Sequence, residues 1–324
     1  MALSDPGGVW RYLFEPGYTL ARRVGENEFK TGINFLIARS SNEIRSPKRN
    51  SPSVFLNWLR HSHAGEFGIS SRYAEIATRD AGIDAADQVP VDSIRASRAI
   101  SGKWSKALSE RSTLSVDGSY ENVSYTGGTF VDYITRSENM SFSYDLSERN
   151  TPFLKLSHID YEPTADHSLS SYSNTLFVGW NRKFSDYVDG MLQAGRTKFS
   201  DEKLVTQGAA TIRYAGQRTG LGLSAERLVS PSGLGGFITV KQMSASWSYA
   251  LSERSKTGID LGWRETQLET DNINRTASMW LQRDLNSFWE LRTYYLRRTF
   301  EQVGADVASS NLLGLSLLYT HNDF

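Results

Sequence analysis

The sequence repeats one pentapeptide three times, as Leu108-Ser109-Glu110-Arg111-Ser112, Leu146-Ser147-Glu148-Arg149-Asn150 and Leu251-Ser252-Glu253-Arg254-Ser255. Each copy ends one segment of alternating apolar and polar residues and begins another. Residues 242–251 lead into the third copy. In this segment apolar side chains at odd positions alternate with small or polar ones at even positions. A period of two belongs to a β-strand with one apolar face. The repeat therefore predicts a recurring β-hairpin.

Length and composition limit the class of protein. The chain has 324 residues, a net charge of zero and no cysteine, and its mean hydropathy is −0.43. No apolar run of about 18 residues exists, which excludes a spanning helix but not a strand barrel, whose lumen is polar. The absence of cysteine suits passage through an oxidising periplasm, and the neutral charge argues against a nucleic-acid partner. A soluble β-sandwich shows the same alternation and stays open as an alternative.

The connections between candidate strands alternate in length. Seventeen candidate strands lie between residues 18 and 321, and short breaks such as Ser109–Arg111 alternate with longer ones such as Val229–Gly236. Transmembrane barrels have short periplasmic turns and longer outer loops. An even strand count requires one more ascending strand, and Val9–Phe14 is the available segment, with Glu15-Pro16-Gly17 as its turn. We therefore predict an all-β fold, a single antiparallel up-and-down transmembrane barrel of 18 strands, with 16 as the alternative.

The expected domain organisation is simple. Residues 1–8 form an N-terminal periplasmic tail, and residues 9–324 form the barrel. The first eight residues lack the basic and apolar regions of a signal peptide, so we expect a mature chain or one without its true start. The terminal residue, Phe324, resembles the last residue of outer-membrane proteins that the barrel-assembly machinery reads. The match is partial, because the alternate positions Thr320 and Asn322 are polar.

Aromatic residues recur at a fixed distance before the turns. Trp104, Phe142 and Trp247 each lie four residues before the first residue of a repeat, and Trp180 precedes Phe184 in a degenerate copy. An even offset keeps both residues on one strand face, at one height above the turn. This pattern predicts an aromatic girdle at the periplasmic membrane interface.

Charged residues between the apolar positions are candidates for the lumen. A charge facing lipid near the midplane costs about 2–4 kcal/mol for Arg or Lys, so we expect these residues to point inward. They are Lys155, Arg182, Lys241, Asp260, Arg264 and Arg292. Both signs are present, which predicts weak ion selectivity; the alternative is that the charges only pair and brace the wall. Trp280 is predicted inward as well, either stacking on sugar rings or serving as a rim tryptophan. No connection exceeds about a dozen residues, which predicts a wide, unobstructed lumen.

Searches for catalytic and cofactor motifs return no match. The sequence has no phosphate-binding loop, dinucleotide fingerprint or zinc-protease helix. Gly233-Leu234-Gly235-Gly236 is read as an outer loop, because no helix follows it. His61 and His63 share a strand parity but fall at a predicted turn, and His158, His167 and His321 have no partner motif. We therefore expect no enzyme activity, metal or cofactor.

The stretch from Trp104 to Ser112, followed by Leu114, Val116 and Tyr120, resembles a turn and strand of Gram-negative outer-membrane β-barrel porins. Many of these barrels accompany surface-polysaccharide export systems. The resemblance implies a bacterial outer-membrane location, membrane lipid and the assembly machinery as partners, a periplasmic export partner, and a polysaccharide cargo. The leading hypothesis is thus an exopolysaccharide secretion conduit. The alternatives are a general diffusion porin and a scaffold barrel that sheathes a partner protein.

Overall fold

The computed structural model describes residues 10–42, 48–78, 93–127, 130–267, 272–302 and 307–320. It contains 18 strands in one antiparallel sheet, as predicted, and a three-residue 3-10 helix at His167–Leu169. The strands are Arg11–Phe14 (β1), Gly17–Val24 (β2), Asn27–Ser40 (β3), Arg49–Ser62 (β4), Gly65–Ala77 (β5), Ile94–Ala107 (β6), Ser112–Thr126 (β7), Tyr133–Tyr144 (β8), Asn150–Pro163 (β9), Ser171–Lys183 (β10), Val188–Phe199 (β11), Leu204–Ala215 (β12), Thr219–Pro231 (β13), Phe237–Ser252 (β14), Ser255–Gln267 (β15), Asn272–Asp284 (β16), Trp289–Gln302 (β17) and Ala308–Tyr319 (β18). The predicted tail and Phe324 lie outside the described residues.

The first two strands differ from the prediction. Both pair with β3: Phe14 lies opposite Ile37 in β3, and Gly17 lies opposite Asn34. β1 and β2 are therefore two pieces of one strand, and the predicted turn at Glu15-Pro16-Gly17 is wrong. Pro16 has no N–H to donate, which interrupts the ladder, but its carbonyl still accepts a hydrogen bond from Phe35 N at 3.0 Å.

The sheet has two edges, β2 and β18. From β3 onward every ladder joins strands that follow one another in the chain, and no ladder joins β18 to β2 in the described residues. Because β1 and β2 share one position, the first and last positions run in the same direction. β18 is exposed at nearly every residue, and Leu313 reaches 83%. β2 and β18 are thus the outermost strands of the sheet in the described residues.

The two faces of the sheet differ in chemistry. On the outer face, Val116, Met140 and Leu156 lie side by side on three neighbouring strands, and each is more than 40% exposed. On the inner face, Ser119 and Ser137 lie opposite each other and their hydroxyls hydrogen-bond at 2.7 Å. An apolar outer band around a polar interior is the reverse of a soluble protein and fits a lipid environment.

Side chains at the short turns explain the repeated pentapeptide. The Ser109 hydroxyl oxygen accepts hydrogen bonds from the N–H groups two and three residues further on, at 3.3 and 3.1 Å. Ser185 does the same in the degenerate copy, at 3.2 and 3.1 Å, and Asn286 replaces serine in another turn, at 2.8 and 3.0 Å. Such bonds satisfy backbone donors that the hairpin leaves free. These turns define the turn end of the sheet, and the longer connections define its loop end.

The packed part of the molecule lies at the loop end. The fully buried side chains are Val123, Tyr161, Val240, Thr78, Thr197, Pro163, Ser93, Ser173 and Ser232. Each of them belongs to the loop-side third of a strand or to the adjoining connection. The interior therefore has a packed end and a more open, polar end.

Candidate functional site

The strand registers show which face each predicted lumen residue occupies. Lys155 lies opposite Ser141 and Phe177 on the inner face. Asp260, Arg264, Trp280 and Arg292 also lie on the inner face, at positions alternate to the outward apolar residues of β15, β16 and β17. Five of the seven predicted lumen residues thus share the polar face.

The other two lie on the outer face. Arg182 has the parity of Trp180, and its guanidinium carbon lies 5.2 Å from the centre of the Phe184 ring. Lys241 has the parity of Met243 and pairs with Glu265 at 2.6 Å. Both are corrections to the predicted lumen set. Each charge lies near a strand end, where a long side chain can reach the interface, so facing outward costs less than it would at the midplane.

Trp280 is held by charged neighbours. Its indole Nε1–H donates to Asp260 Oδ2 at 2.9 Å. The guanidinium carbon of Arg292 lies 4.7 Å from the indole centre, within the range of a cation–π contact. The ring also covers Gly258, where a β-carbon would collide with it. Trp280 is therefore a fixed part of the inner wall.

Four more inward aromatic rings lie across glycines of neighbouring strands. Sequence reasoning missed all of them. They are Phe55 over Gly32, Phe153 over Gly179, Phe177 over Gly195 and Tyr294 over Gly314. All four are half-buried; Phe153 and Tyr294 lie in the turn-side half of their strands, and Phe55 and Phe177 lie at mid-strand. The sequence does contain a signal for them, because each ring alternates with the outward apolar residues of its strand and must therefore face inward. Each ring lies flat on the wall because glycine leaves room beneath it.

A tyrosine cluster closes the loop end. The Tyr161 ring centre lies 5.0 Å from that of Tyr133 and 6.0 Å from that of Phe237. The Tyr161 hydroxyl donates to Ser232 O at 3.1 Å, and Val131 N donates to Gly233 O at 2.7 Å. The connection between β13 and β14 therefore crosses the interior to reach β8 and β9. This contact corrects one part of the prediction, that no connection narrows the lumen, because the β13–β14 connection reaches across the loop end.

A buried polar group lies beneath this closure. Thr175 and Thr197 face each other on the inner face and hydrogen-bond at 2.8 Å. Gln207 donates to the Thr197 hydroxyl, and its side-chain oxygen accepts from Val229 N at 3.2 Å. Buried polar groups bonded in this way make a defined arrangement. The closure is thus a packed contact with a specific geometry.

The predicted girdle residues all lie on the outer face, towards the turn end. Trp104 lies opposite Val116, Phe142 opposite Leu154, Trp180 opposite Leu192, and Trp247 opposite Ile259. Further aromatic residues lie at the same end: Phe29, Trp58, Phe67, Tyr249, Trp289 and Tyr319. Their rings contact one another in three groups, so the band extends beyond the repeated pentapeptide.

In the described part of the chain, no group of three or more metal-ligating side chains could hold a metal ion. His61 lies on the inner face between Glu28 and Glu66, at 3.6 and 3.8 Å. His158 lies on the outer face, bonded to Asn174 and Asp160. No described helix is long and apolar enough to cross a membrane.

The chain is similar to known proteins in its structure and not in its sequence. No protein-family model matches this sequence, and no curated protein matches it. The chain is similar to the siderophore receptor PirA from Acinetobacter baumannii, with a TM-score of 0.55 and 7% identity over 99% of this chain and 73% of that one. It is also similar to the FrpB iron transporter from Neisseria meningitidis, with a TM-score of 0.54 and 9% identity over 91% of this chain and 60% of that one.

A bacterial polysaccharide outer membrane secretin matches with a TM-score of 0.43 and 8% identity, over 85% of this chain and 92% of that one. This score carries no argument about cargo. The chain spans about three fifths of the length of the FrpB structures. The likenesses to PirA and FrpB show the fold, and the apolar outer band agrees with it. The chain therefore has the fold of the outer-membrane β-barrels it is similar to.

Proposed function

We propose that this barrel is a channel that passes a surface polysaccharide through a hydrated lumen without covalent chemistry. The inner wall supports this proposal, since serine, threonine, asparagine and glycine alternate there with charged and flat aromatic side chains. Hydroxyl and amide groups can exchange hydrogen bonds with a sugar chain as readily as with water. Export would then be driven by synthesis, or by a periplasmic partner that meets the turn end.

The observation that carries this proposal over a diffusion porin is the closure at the loop end. A wide barrel that is permanently open would leak small solutes. Here the ends of β8, β9 and β14 meet over the interior through Tyr133, Tyr161 and the Ser232–Gly236 connection. The contact is small enough for a polymer under pressure to displace, and it reforms when the polymer has passed. A general diffusion porin has to stay open to small solutes, whereas a polymer channel can close between passages.

The experiment is deletion of the gene followed by two measurements on the same cells. We expect loss of secreted polymer, measured as uronic acid or total carbohydrate in the medium, with unchanged uptake of small sugars. Complementation with the wild-type chain should restore secretion. Normal secretion together with impaired uptake would overturn the proposal and favour the porin. Normal secretion and normal uptake would overturn it and favour a scaffold barrel.

A further inference from the structure

The inward aromatic rings occur in three patches, each with a basic residue beside them. The first patch is Phe55 on β4 with Arg72, which lies directly opposite it on β5. The second is Phe153 and Phe177 on β9 and β10, with Lys155 directly opposite Phe177.

The third patch is Trp280 and Tyr294, which lie opposite each other on β16 and β17, with Arg292 stacked on the indole. The patches stand on three well-separated sectors of the wall. All three lie at mid-height of the wall or on its turn side, away from the packed loop end.

The three basic residues share a second property. Within the described residues, no carboxylate lies within salt-bridge distance of Arg72, Lys155 or Arg292. Other inward cations do have such partners: Lys103 pairs with Glu66 at 3.2 Å, and Arg95 pairs with Glu121 at 3.0 Å. Braced charges and unpaired charges therefore coexist on the same wall, and these three unpaired ones stand next to the rings.

We propose that these patches form a collar that binds an acidic polysaccharide, an inference that rests on the proposed channel function. A pyranose ring presents a flat face of C–H groups, which packs on the exposed face of an aromatic ring. A carboxylate on the sugar then reaches the neighbouring guanidinium or ammonium group, which has no protein partner to compete for it. The collar recognises uronic acids, or sugars with acidic substituents, in preference to neutral glycans.

Packing alone does not account for this arrangement. An aromatic ring over a glycine covers exposed backbone in a curved sheet, which explains the rings. It does not explain why each patch also carries a cation without a carboxylate. These three cations gain no stability from an ion pair with the protein, which leaves them available to an acidic ligand.

The test measures dissociation constants by calorimetry on the full chain in detergent micelles, which does not require the closure to open. The probes are oligogalacturonate and maltoheptaose, which are acidic and neutral chains of similar length. We expect the wild-type chain to bind oligogalacturonate about tenfold more tightly, with an advantage that falls as salt rises.

The variants separate charge from stacking. Arg72→Gln, Lys155→Gln and Arg292→Gln should each weaken oligogalacturonate binding about threefold and leave maltoheptaose binding unchanged. Phe55→Leu and Phe177→Leu keep apolar bulk but remove the ring, and should weaken both probes by a similar factor.

The matched control is Lys103→Gln, which removes the same charge from the same face at a position already paired with Glu66. We expect it to leave both affinities unchanged. Equal losses in Lys103→Gln and Lys155→Gln would overturn the collar, because only the general wall potential would matter. So would equal wild-type affinity for the two probes. If polymer secretion depends on the gene while these variants bind like wild type, the collar fails and the channel function stands. If deletion leaves secretion intact, the channel function fails by itself.

Discussion

Replacing Tyr161 tests whether the loop-end closure is the gate. Tyr161 is 1% exposed, contacts the rings of Tyr133 and Phe237, and donates its hydroxyl to Ser232 O. Truncation of a buried aromatic residue to alanine costs about 3–5 kcal/mol. Opening breaks the contacts with Phe237 and Ser232 but keeps the one with Tyr133 on the neighbouring strand, so part of this cost falls on the closed state alone. At about 3 kcal/mol, Tyr161→Ala shifts the equilibrium towards the open state by a factor on the order of a hundred.

The assay is single-channel recording in planar bilayers, with open probability as the readout. Tyr161→Phe keeps the ring contacts and loses one hydrogen bond, worth about 1 kcal/mol, so a rise of about fivefold is expected. Tyr172→Ala is the control, because Tyr172 lies on the outer face at the same end and is 42% exposed. An open probability in Tyr161→Ala equal to that of Tyr172→Ala would refute the gate.

Two further predictions concern the faces and the edges of the sheet. Met140→Arg, on the outer face, should lower the free energy of unfolding in lipid vesicles by about 2–4 kcal/mol. Asn139→Arg, one residue earlier and facing inward, should change it by less than about 1 kcal/mol, and equal effects would contradict the assignment of faces. The absence of cysteine also allows disulfide trapping: Thr293→Cys with Leu315→Cys, which are register partners in β17 and β18, should cross-link on oxidation. Leu20→Cys with Leu315→Cys should not, because no register joins β2 to β18 in the part of the chain that the structure describes, and efficient cross-linking would show that these edges meet.

The strand layout was predictable because it depends on local signals. Alternation and turn chemistry located the strands from β2 to β18 to within a few residues, since a period of two and a serine-capped turn are both written in neighbouring residues. The pairing of the first residues was not predictable, because Val9–Phe14 fits an ascending strand and an extension of β2 equally well. Only the pairing partner, the outer half of β3, decides between them.

The inner wall was predictable only where parity was followed strictly. Arg182 and Lys241 were assigned inward on the general cost of charge in lipid, although each shares the parity of an outward apolar residue. Strand parity is set by the backbone, and a long charged side chain near a strand end adapts to it. The tyrosine closure depends on how the sheet curls, which joins strands far apart in the chain. No local pattern reports such a contact.

From β3 onward, strands that follow one another in the chain are also neighbours in the sheet. From β3 onward each hairpin can add to a growing edge during insertion, because its partner is the strand just before it. The chain entropy lost in each addition is that of a short loop and nearly constant. Only an encounter between β2 and β18 would bring opposite ends of the chain together. Bringing these two edges together is therefore the pairing with the largest loop-closure cost in the sheet.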